Sequence, residues 1–505
     1  MRTAASACAL GILLITACRG PGNVSTPPDQ IAEGPAASGG DGPEDCVPIT
    51  CAAAEKNCGV LPDGCGETLN CGECPSGQTC GAGGSANVCG TGTCTPTTCE
   101  ENGKNCGTIS DGCSAALECG TCTQPEFCGG SGPKNVCGQD ALATAPDCAG
   151  VFNPDQVLEI HLTMAPADWS AVLNDTTNSD YRRATFRCGG EAELPFQVGV
   201  RRKRSGSSGK PGLKVDFNRI LAGSDWHTLK KLSLENGINE GTETGSIRAL
   251  VAEYLAWRLM VRSGAYSSRA AFVRLYVNGT YVGAYVNVEQ VDRRFLRSRL
   301  GDDTGWLYKI SGSGTDGYRT NSTQPNPHAS DLCFFTKTAT CATPSATELA
   351  TYLPQHLNIE QMLRIGGVNA FMSNRDAPIV KENNLYWYDW SGPRVYFPWD
   401  LDATMNVSMS IFTGTSSGGV PVYQEVLFTH WEDDYDVMLT DLLEGALALR
   451  QIEAELDRVV SVAGPALSED PRLAGQSVAG EVALLKTWWS TRHAELATEL
   501  QAHAP

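Results

Sequence analysis

The sequence predicts an α+β chain in which a large two-lobed domain, β-rich first and α-rich second, follows two small disulfide-rich modules. Three observations carry that reading. Sixteen cysteines fall into two sets of identical spacing over 46–93 and 94–141. Alternating apolar residues, the period of a strand, recur between about 157 and 288. Beyond about 359 the apolar residues return at helical spacing, interrupted by one hairpin at 387–399.

The chain opens on a processing signal. Met1-Arg2 is a short positive start, Ala9 to Ile15 is mostly apolar, and Ile15-Thr16-Ala17-Cys18 has the pattern of a bacterial lipobox. The apolar run is too short to span a bilayer, so 1–17 reads as a lipoprotein signal peptide. Ordinary cleavage near Ala17 without acylation is the alternative. A lipidated Cys18 would hold an exported protein on a membrane surface. Arg19 stands where an aspartate would signal inner-membrane retention, so the outer membrane or cell surface is the expected location. Residues 18–45, rich in Gly, Pro, Ser and Ala, bury too little to fold and form a tether. No later segment approaches a membrane span. The formal charge of −19 disfavours nucleic acid as a partner, because phosphate binding needs a basic excess.

The duplicated module comes next. Cys46, Cys51, Cys58, Cys65, Cys71, Cys74, Cys80 and Cys89 recur as Cys94, Cys99, Cys106, Cys113, Cys119, Cys122, Cys128 and Cys137, a period of 48 residues. Asn57-Cys58-Gly59 and Asp63-Gly64-Cys65 return as Asn105-Cys106-Gly107 and Asp111-Gly112-Cys113. Eight cysteines with so little apolar content predict four disulfides per module, of connectivity that spacing cannot decide. Zinc is the rival, through Cys71-x-x-Cys74 and Cys119-x-x-Cys122, but an export signal favours oxidation. Such modules read as stalks or contact domains without chemistry of their own. Of the 22 cysteines, Cys8 leaves with the signal and Cys18 is reserved for lipid. Proximity then pairs Cys148 with Cys188 and Cys333 with Cys341.

The large domain, 149–505, is long enough for two lobes around a cleft. Strands are predicted at Val157 to Thr163, Phe196 to Val200 and Leu213 to Phe217, with a short helix from Ala165 to Leu173. Gly245 to Arg262 carries Ile247, Leu250, Val251, Tyr254, Leu255 and Leu259 at helical spacing and closes on Gly264. Phe272 to Val277 and Tyr281 to Val288 flank Asn278-Gly279, a favoured hairpin turn, and lead into Glu289-Gln290-Val291-Asp292. Helices follow at Ile359 to Phe371, within 436–462 and from Ser477 to His503, while 310–345 and 412–421 read as loops. A β-rich lobe, a linker and an α-rich lobe is the general plan of a protein kinase.

Chemistry concentrates in Arg394-Val395-Tyr396-Phe397-Pro398-Trp399-Asp400-Leu401-Asp402. If strand geometry continues past the proline, Asp400 and Asp402 share one face and offer hard oxygen ligands suited to Mg²⁺. Asn374-Arg375-Asp376 and Asn383-Asn384 lie upstream. Carboxylate, amide, strand and carboxylate is the order in which kinases set out their base and metal ligands. A hairpin with polar ends is the plainer alternative.

The sequence resembles the spore coat protein H (CotH) family of atypical secreted kinases. The resemblance rests on Lys210-Pro211-Gly212-Leu213-Lys214-Val215-Asp216-Phe217-Asn218 and Leu229-Lys230-Lys231-Leu232-Ser233-Leu234-Glu235-Asn236-Gly237. Arg274 to Gly283, Glu289 to Asp292, Asp376, Asn384 with Tyr386 and Tyr388, and Phe397 to Asp402 continue it in family order. It covers roughly 195 to 405. It implies a protein-kinase-like fold that binds ATP with Mg²⁺ or Mn²⁺ and phosphorylates serine or threonine on exported proteins. By the same resemblance Asp376 is the catalytic carboxylate, and Asn384 and Asp400 are metal ligands with Asp402 as a second aspartate. Lys214 is the phosphate-contacting lysine, with Lys210 on the same strand face, and Glu289, Gln290 and Val291 form the hinge beside the adenine. The family's Arg-x-Lys-Gly-Asn-Ser element stands here as Arg201-Arg202-Lys203-Arg204-Ser205-Gly206. Arg204 therefore replaces its glycine, which leaves Gly206 and Gly209 for the phosphate loop.

Two rivals are weighed. A kinase fold without catalysis, serving as a surface adhesion or scaffold lipoprotein, suits the repeats and the anchor, but Asp376, Asn384 and Asp400 are all retained. Hydrolysis would use Gly414-Thr415-Ser416-Ser417-Gly418, which lacks the strand before it and the helix after it that a nucleophile elbow needs. The seven histidines form no His-Glu-x-x-His, and Gly209-Lys210-Pro211 lacks the Ser or Thr of a P-loop.

Overall fold

Each cysteine-rich module is a pair of short antiparallel ribbons stapled by disulfides. In the first, Val60–Pro62 pairs with Thr68–Asn70 and Thr79–Cys80 with Cys89–Gly90. In the second, Thr108–Ser110 pairs with Ala116–Glu118 and Phe127–Cys128 with Cys137–Gly138. Cys51–Cys71, Cys58–Cys80 and Cys74–Cys89 recur as Cys99–Cys119, Cys106–Cys128 and Cys122–Cys137, with Cys94–Cys113 beside them. The sulfur triplets Cys58, Cys74, Cys80 and Cys106, Cys122, Cys137 each gather within 4.8 Å because two disulfides approach there. Disulfide sulfur is not the thiolate that a metal requires, so zinc is ruled out for these cysteines. Staples at this density belong to a chain that folds in oxidising surroundings.

The computed structural model describes residues 47–503 apart from 66, 124–125, 131–132, 176, 178–179, 204–209, 238–244, 311–317, 320–325, 327–344, 379, 381–383 and 413–429. The lipobox with Cys18, the tether, Cys333 with Cys341, Gly206, Gly209 and the Gly414 to Gly418 run lie outside the described residues. No helix among the described residues is long and apolar enough to cross a membrane.

The β-rich lobe is a closed barrel. Its strands are β1 (Leu158–Thr163), β2 (Arg182–Cys188), β3 (Val198–Arg202), β4 (Leu213–Asp216), β5 (Lys231–Glu235), β6 (Ala270–Val277) and β7 (Thr280–Val288). They run in the order β2-β3-β4-β5-β7-β6-β1. Only β6 and β1 pair in parallel, and that pairing seals the cylinder. Alternation turns Ile160, Leu162, Phe186, Val198, Val200, Leu213, Val215, Leu232 and Leu234 into one interior core. Cys148 is bonded to Cys188 within that core, the pairing expected from proximity. The Asn278-Gly279 turn has φ 52 and 78, the left-handed pair that a two-residue hairpin of this hand requires. Strand β2 was not anticipated, because Arg182, Arg183 and Arg187 mask the alternation of Ala184, Phe186 and Cys188.

The α-rich lobe begins with α2 (Ile247–Arg262); α1 (Pro166–Asn174) belongs to the barrel side. Then come α3 (Arg293–Leu300), β8 (Trp306–Ile310), β9 (Tyr318–Arg319), α4 (Ala346–His356), α5 (Ile359–Phe371), β10 (Leu385–Asp389) and β11 (Val395–Pro398). The last helices are α6 (Glu432–Glu444), α7 (Leu449–Val462), α8 (Gly464–Ser468) and α9 (Val478–His503). The sheet runs β9-β8-β10-β11. Residues 436–462 hold parts of two helices, because the first stops at Gly445, where a Cβ would lie 2.7 Å from the Asp441 carbonyl oxygen. Helix α2 is capped by Ser246, whose side chain accepts the Ala249 N–H at 3.0 Å. It is buried on nearly every side, between β6 and β7 of the barrel and α5, α7 and α9. The lobes therefore share one helix.

A buried ion pair closes them at a second point. Lys210 Nζ lies 2.7 Å from Asp470 Oδ2, with 2% and 0% of the two side chains exposed. The same oxygen accepts the Ala284 N–H of β7 at 2.9 Å. Gly283 has φ 151 and passes so close that a Cβ would stand 2.5 Å from it. Asp470→Ala would leave a buried ammonium and a buried N–H without their acceptor. It is expected to cost about 3–5 kcal/mol, read by urea unfolding of the disulfide-intact chain. Lys210→Met with Asp470→Leu should restore part of the loss, since it removes the stranded ammonium but not the need of the Ala284 N–H for an acceptor. An unchanged unfolding midpoint for Asp470→Ala would show that this clasp carries no stability.

Candidate active site

The mouth of the β10–β11 hairpin meets the turn after α5. Trp399 N–H donates to Asn384 O at 3.0 Å, so Asn384 and Asp400 flank that mouth. Arg375 N–H reaches Ala403 O at 3.2 Å and Met405 N–H reaches Met372 O at 2.9 Å. These two bonds zip the Asn374-Arg375-Asp376 turn to the segment that carries Asp402. Asn374 Oδ1 accepts the Asp376 N–H at 3.0 Å, a local turn that sets the direction of the aspartate. Asp376, Asn384, Asp400 and Asp402 thus share one loop cluster. The expected strand face for Asp400 and Asp402 does not form: β11 ends at Pro398, and Asp400 turns into the left-handed region at φ 54. Pairing stops after Trp399, so strand parity no longer applies.

The barrel wall above that floor is basic. Arg201 stands opposite Lys214, Lys214 opposite Ser233, and Asp216 opposite Lys231. Ser233 and Glu235 in turn face Val288 and Val286, which pack in the core around α2. Opposed residues share a face of a sheet, so these side chains look toward α2 and not into the barrel. Lys203 Nζ bonds Ser233 Oγ at 2.9 Å and also Glu235 Oε1. Lys214, fully buried, donates to Gln290 Oε1 and lies 5.6 Å from the Trp399 ring centroid. Lys309 lies 5.3 Å from the same ring and 5.5 Å from Tyr386. Trp399 therefore carries two cations on its π-system while its ring meets Trp257 of α2 edge-on at 6.1 Å.

Glu253 joins wall and floor. Burial pushes its pKa well above the usual carboxylate value; Glu235, Asp402 and Asp400 push the same way, and Lys203 opposes them. The carboxylate of α2 is thereby within electrostatic reach of both elements. Asn384, Asp400 and Asp402, with Glu253 in electrostatic reach of both aspartates, are oxygen donors without a thiolate or imidazole. That donor set fits a hard divalent cation such as Mg²⁺ or Mn²⁺.

Glu289, Gln290 and Val291 connect β7 to α3 between the lobes. The Val291 side chain packs in the core around α2. Gln290 Oε1 is held by Lys214, while its buried Nε2 has no partner among the described residues. Glu289 is committed to guanidiniums: Arg269 Nε at 2.9 Å, Arg269 Nη2 at 2.5 Å, Arg299 Nη2 at 2.7 Å and Arg294 Nη1 at 3.8 Å. Burial works to raise its pKa, but Arg269, Arg299 and Arg294 hold the carboxyl far below the usual range. Asp140 joins the cage, 2.8 Å from Arg269 Nη1 and 2.9 Å from Arg294 Nη2. Burial likewise favours its neutral form, and the two arginines outweigh it to lower its pKa.

Lys210 departs from expectation. It precedes β4 instead of lying on it, and its ammonium sits 5.0 Å from the Tyr285 ring of the barrel core, paired with Asp470. It does not share the face of Lys214. Sequence reasoning also missed Arg201, Lys203, Glu235 and Glu253. The signal was present in each case. Arg201, Lys203 and the Lys214 strand alternate, and Glu253 is the one charged residue on the fully buried stretch Ala249 to Trp257.

The CotH kinase protein family matches residues 203–496. No curated protein matches the chain. Among solved structures it is similar to the Helicobacter pylori proinflammatory kinase CtkA, at 10% identity over 58% of this chain and 93% of that one, with a TM-score of 0.31. It is also similar to the Shewanella oneidensis MR-1 toxin–antitoxin system HipA, HipB and its operator DNA complex. There the identity is 15% over 66% of this chain and 71% of that one, with a TM-score of 0.27. Likenesses this distant say nothing about the chemistry of the site.

The arginine cage makes a prediction about acid. Glu289 and Asp140 have folded pKa values below their unfolded ones, so their contribution is complete above about pH 5. It is lost as pH falls through the folded values. Glu289→Gln should destabilise the neutral protein by roughly 3–5 kcal/mol, because three guanidiniums lose their charged acceptor. It should also flatten the loss of stability between about pH 5 and about pH 2. Thermal melts across that range check both, and parallel curves for wild type and variant would contradict the assignment.

Proposed function

This chain belongs to the CotH kinase family, and from that premise we propose that it is an exported, ATP-dependent protein kinase acting on serine or threonine of surface or secreted proteins. The observation that supports this most is that Lys214 meets Trp399 at the Asn384–Asp400 mouth, while the Asp376 turn is bonded to the segment carrying Asp402 and both Asp400 and Asp402 act on the buried Glu253. Phosphoryl transfer is mainly positioning and charge neutralisation, and it needs those three kinds of group in one place.

Roles follow from chemistry. Asp376 orients the acceptor hydroxyl and takes its proton as the oxygen bonds to the γ-phosphorus and the bond to the ADP oxygen breaks. Asn384, Asp400 and Asp402 are the residues to hold Mg²⁺ or Mn²⁺, which when bound neutralises charge on the phosphates. Lys214 neutralises phosphate from the barrel side, with Lys203 and Arg201 on the same face. Lys210 is assigned to the clasp with Asp470 and not to phosphate. Glu289 to Val291 form the hinge, and the Gln290 amide, a buried donor lacking a partner among the described residues, suits an acceptor on the adenine ring. A lipidated Cys18 would place this activity on a membrane surface.

Two variants separate the roles. Asp400→Asn should weaken both metal-dependent nucleotide binding and transfer. Asp376→Asn should keep most nucleotide binding while transfer falls on the order of 10²–10⁴-fold. Calorimetry beside phosphate transfer from labelled ATP, with Mg²⁺ and Mn²⁺ compared, reads both. Wild-type transfer rates in the two variants would refute the site. Nucleotide binding by the wild-type chain without transfer to itself or to any co-exported protein would favour a silent scaffold.

The anchor is tested separately. The full-length chain should partition into detergent, and Cys18→Ser should release or misprocess it. Unchanged partitioning of the variant would remove the lipid from the proposal.

A further inference from the structure

The second cysteine-rich module reaches the hinge through one carboxylate. Asp140 follows the Cys137–Gly138 strand and caps a short helical turn, its Oδ1 accepting the Leu142 N–H at 3.1 Å. The same carboxylate holds Arg269 and Arg294, and Arg269 clasps Glu289 through two hydrogen bonds. Phe127 of the module lies 5.1 Å from the Arg294 guanidinium, whose Nε donates to Thr228 Oγ1 at 2.7 Å. Cys106–Cys128 and Cys122–Cys137 pin the ribbon that presents both Phe127 and Asp140.

The charges explain why the module is needed there. Arg269, Arg294 and Arg299 bring three positive charges around Glu289, and Arg269 and Arg294 are at most 8% exposed. With Asp140 two carboxylates touch the three guanidiniums, and buried Asp292 stands within electrostatic reach of Arg294. Without Asp140, Glu289 is left as the carboxylate in contact with all three in a largely buried site, an arrangement that favours rearrangement. Glu289 would be drawn with Arg269, because Glu289 N–H also donates to Arg269 O at 2.9 Å.

We propose that the second cysteine-rich module is a clamp on the hinge and that Asp140 is a positioning residue for the nucleotide site, acting through Arg269 on Glu289. This rests on the reading of Glu289 to Val291 as the hinge. The clamp acts on where the nucleotide sits and not on the transfer step, so it governs KM for ATP and leaves kcat nearly alone.

The test uses the mature full-length chain, with ATP kinetics and amide hydrogen exchange over 286–300. Asp140→Asn should raise KM for ATP about tenfold, a usual size for coupling between sites, with little change in kcat and faster exchange over that segment. Asp140→Glu, which restores the charge, should recover most of both. Lys134→Ala removes a different contact of the same module, the pair with Asp225 at 2.6 Å, and should match wild type. If Asp140→Asn does not fold, Arg294→Lys, which keeps the charge but loses the forked contact, should raise KM and speed exchange in the same way. Wild-type KM and exchange in Asp140→Asn, or in its Arg294→Lys substitute, overturn the clamp, as does a Lys134→Ala variant that behaves like Asp140→Asn. If the wild-type chain binds no ATP, the kinase reading fails and exchange alone decides: unchanged exchange overturns the clamp, and faster exchange upholds it.

Discussion

A carboxylate inside an apolar helix is the constraint around which this molecule is arranged. Glu253 is 4% exposed on the one helix that both lobes share. Charged, it would sit among Glu235, Asp400 and Asp402, and its burial already disfavours ionisation. Such a group takes a proton or requires cations nearby. The barrel supplies Lys203, just past β3, and the oxygen-rich loop cluster is suited to a divalent ion. A one-residue slip in the register of α2 would swing the carboxylate away by about 100°. That register is locked by the Trp257–Trp399 edge contact and by Glu455, which accepts Tyr254 Oη at 3.0 Å and Arg258 Nε at 2.9 Å.

Strain in the loops agrees with that centre. Ser373, Asn384, Asp400 and Met405 all have positive φ, between 52 and 58, and none is glycine. Each costs about 1 kcal/mol or more relative to ordinary backbone, with Asn and Asp the cheapest. Four such residues in two facing loops persist because the hydrogen bonds between the loops leave no relaxed alternative. Lys309 and Lys214 lie against Trp399, so the aromatic ring that follows β11 also holds two lysines beside the mouth.

Local patterning made some of this legible and long-range pairing hid the rest. The Asn278-Gly279 hairpin, α5 and the last helix follow from spacing, because turn chemistry and a 3.6-residue period are properties of short segments. Asp376, Asn384 and Asp400 could be read together from their order along the chain. The end of strand geometry before Asp400 and Asp402 could not, because it depends on where pairing with Asn384 ends. Lys210 was misread for a related reason: its partner Asp470 lies 260 residues away, and no local pattern reports such a neighbour. Glu253 left a local trace, yet an isolated carboxylate in an apolar helix has meaning only once the sheet opposite is known to be basic.

The cysteine-rich modules change most between sequence and fold. A stalk of disulfide repeats need only hold a domain away from a surface, and its outer face should be indifferent to that domain. These modules instead make contacts that converge on the loop at 218–228 and on α3. Asn218 Nδ2 donates to Val47 O at 3.1 Å, Lys134 pairs with Asp225, Glu67 with Arg293 at 3.1 Å, and Asp140 with Arg294. The Lys134–Asp225 and Glu67–Arg293 pairs each have an exposed partner and are weak, worth well under about 1 kcal/mol in typical cases, whereas Asn218 is buried and bonds Val47 through both its amide atoms. The inner contact is different, because Arg294 is buried and Asp140 is the acid nearest its guanidinium. Each repeat thus has one buried contact with the large domain: Val47 with Asn218 for the first, and Asp140 with Arg294, beside the 289–291 segment, for the second. A period of 48 residues says that the two modules are alike; the placement of one aspartate just beyond the last cysteine ties the second to the arginines around Glu289.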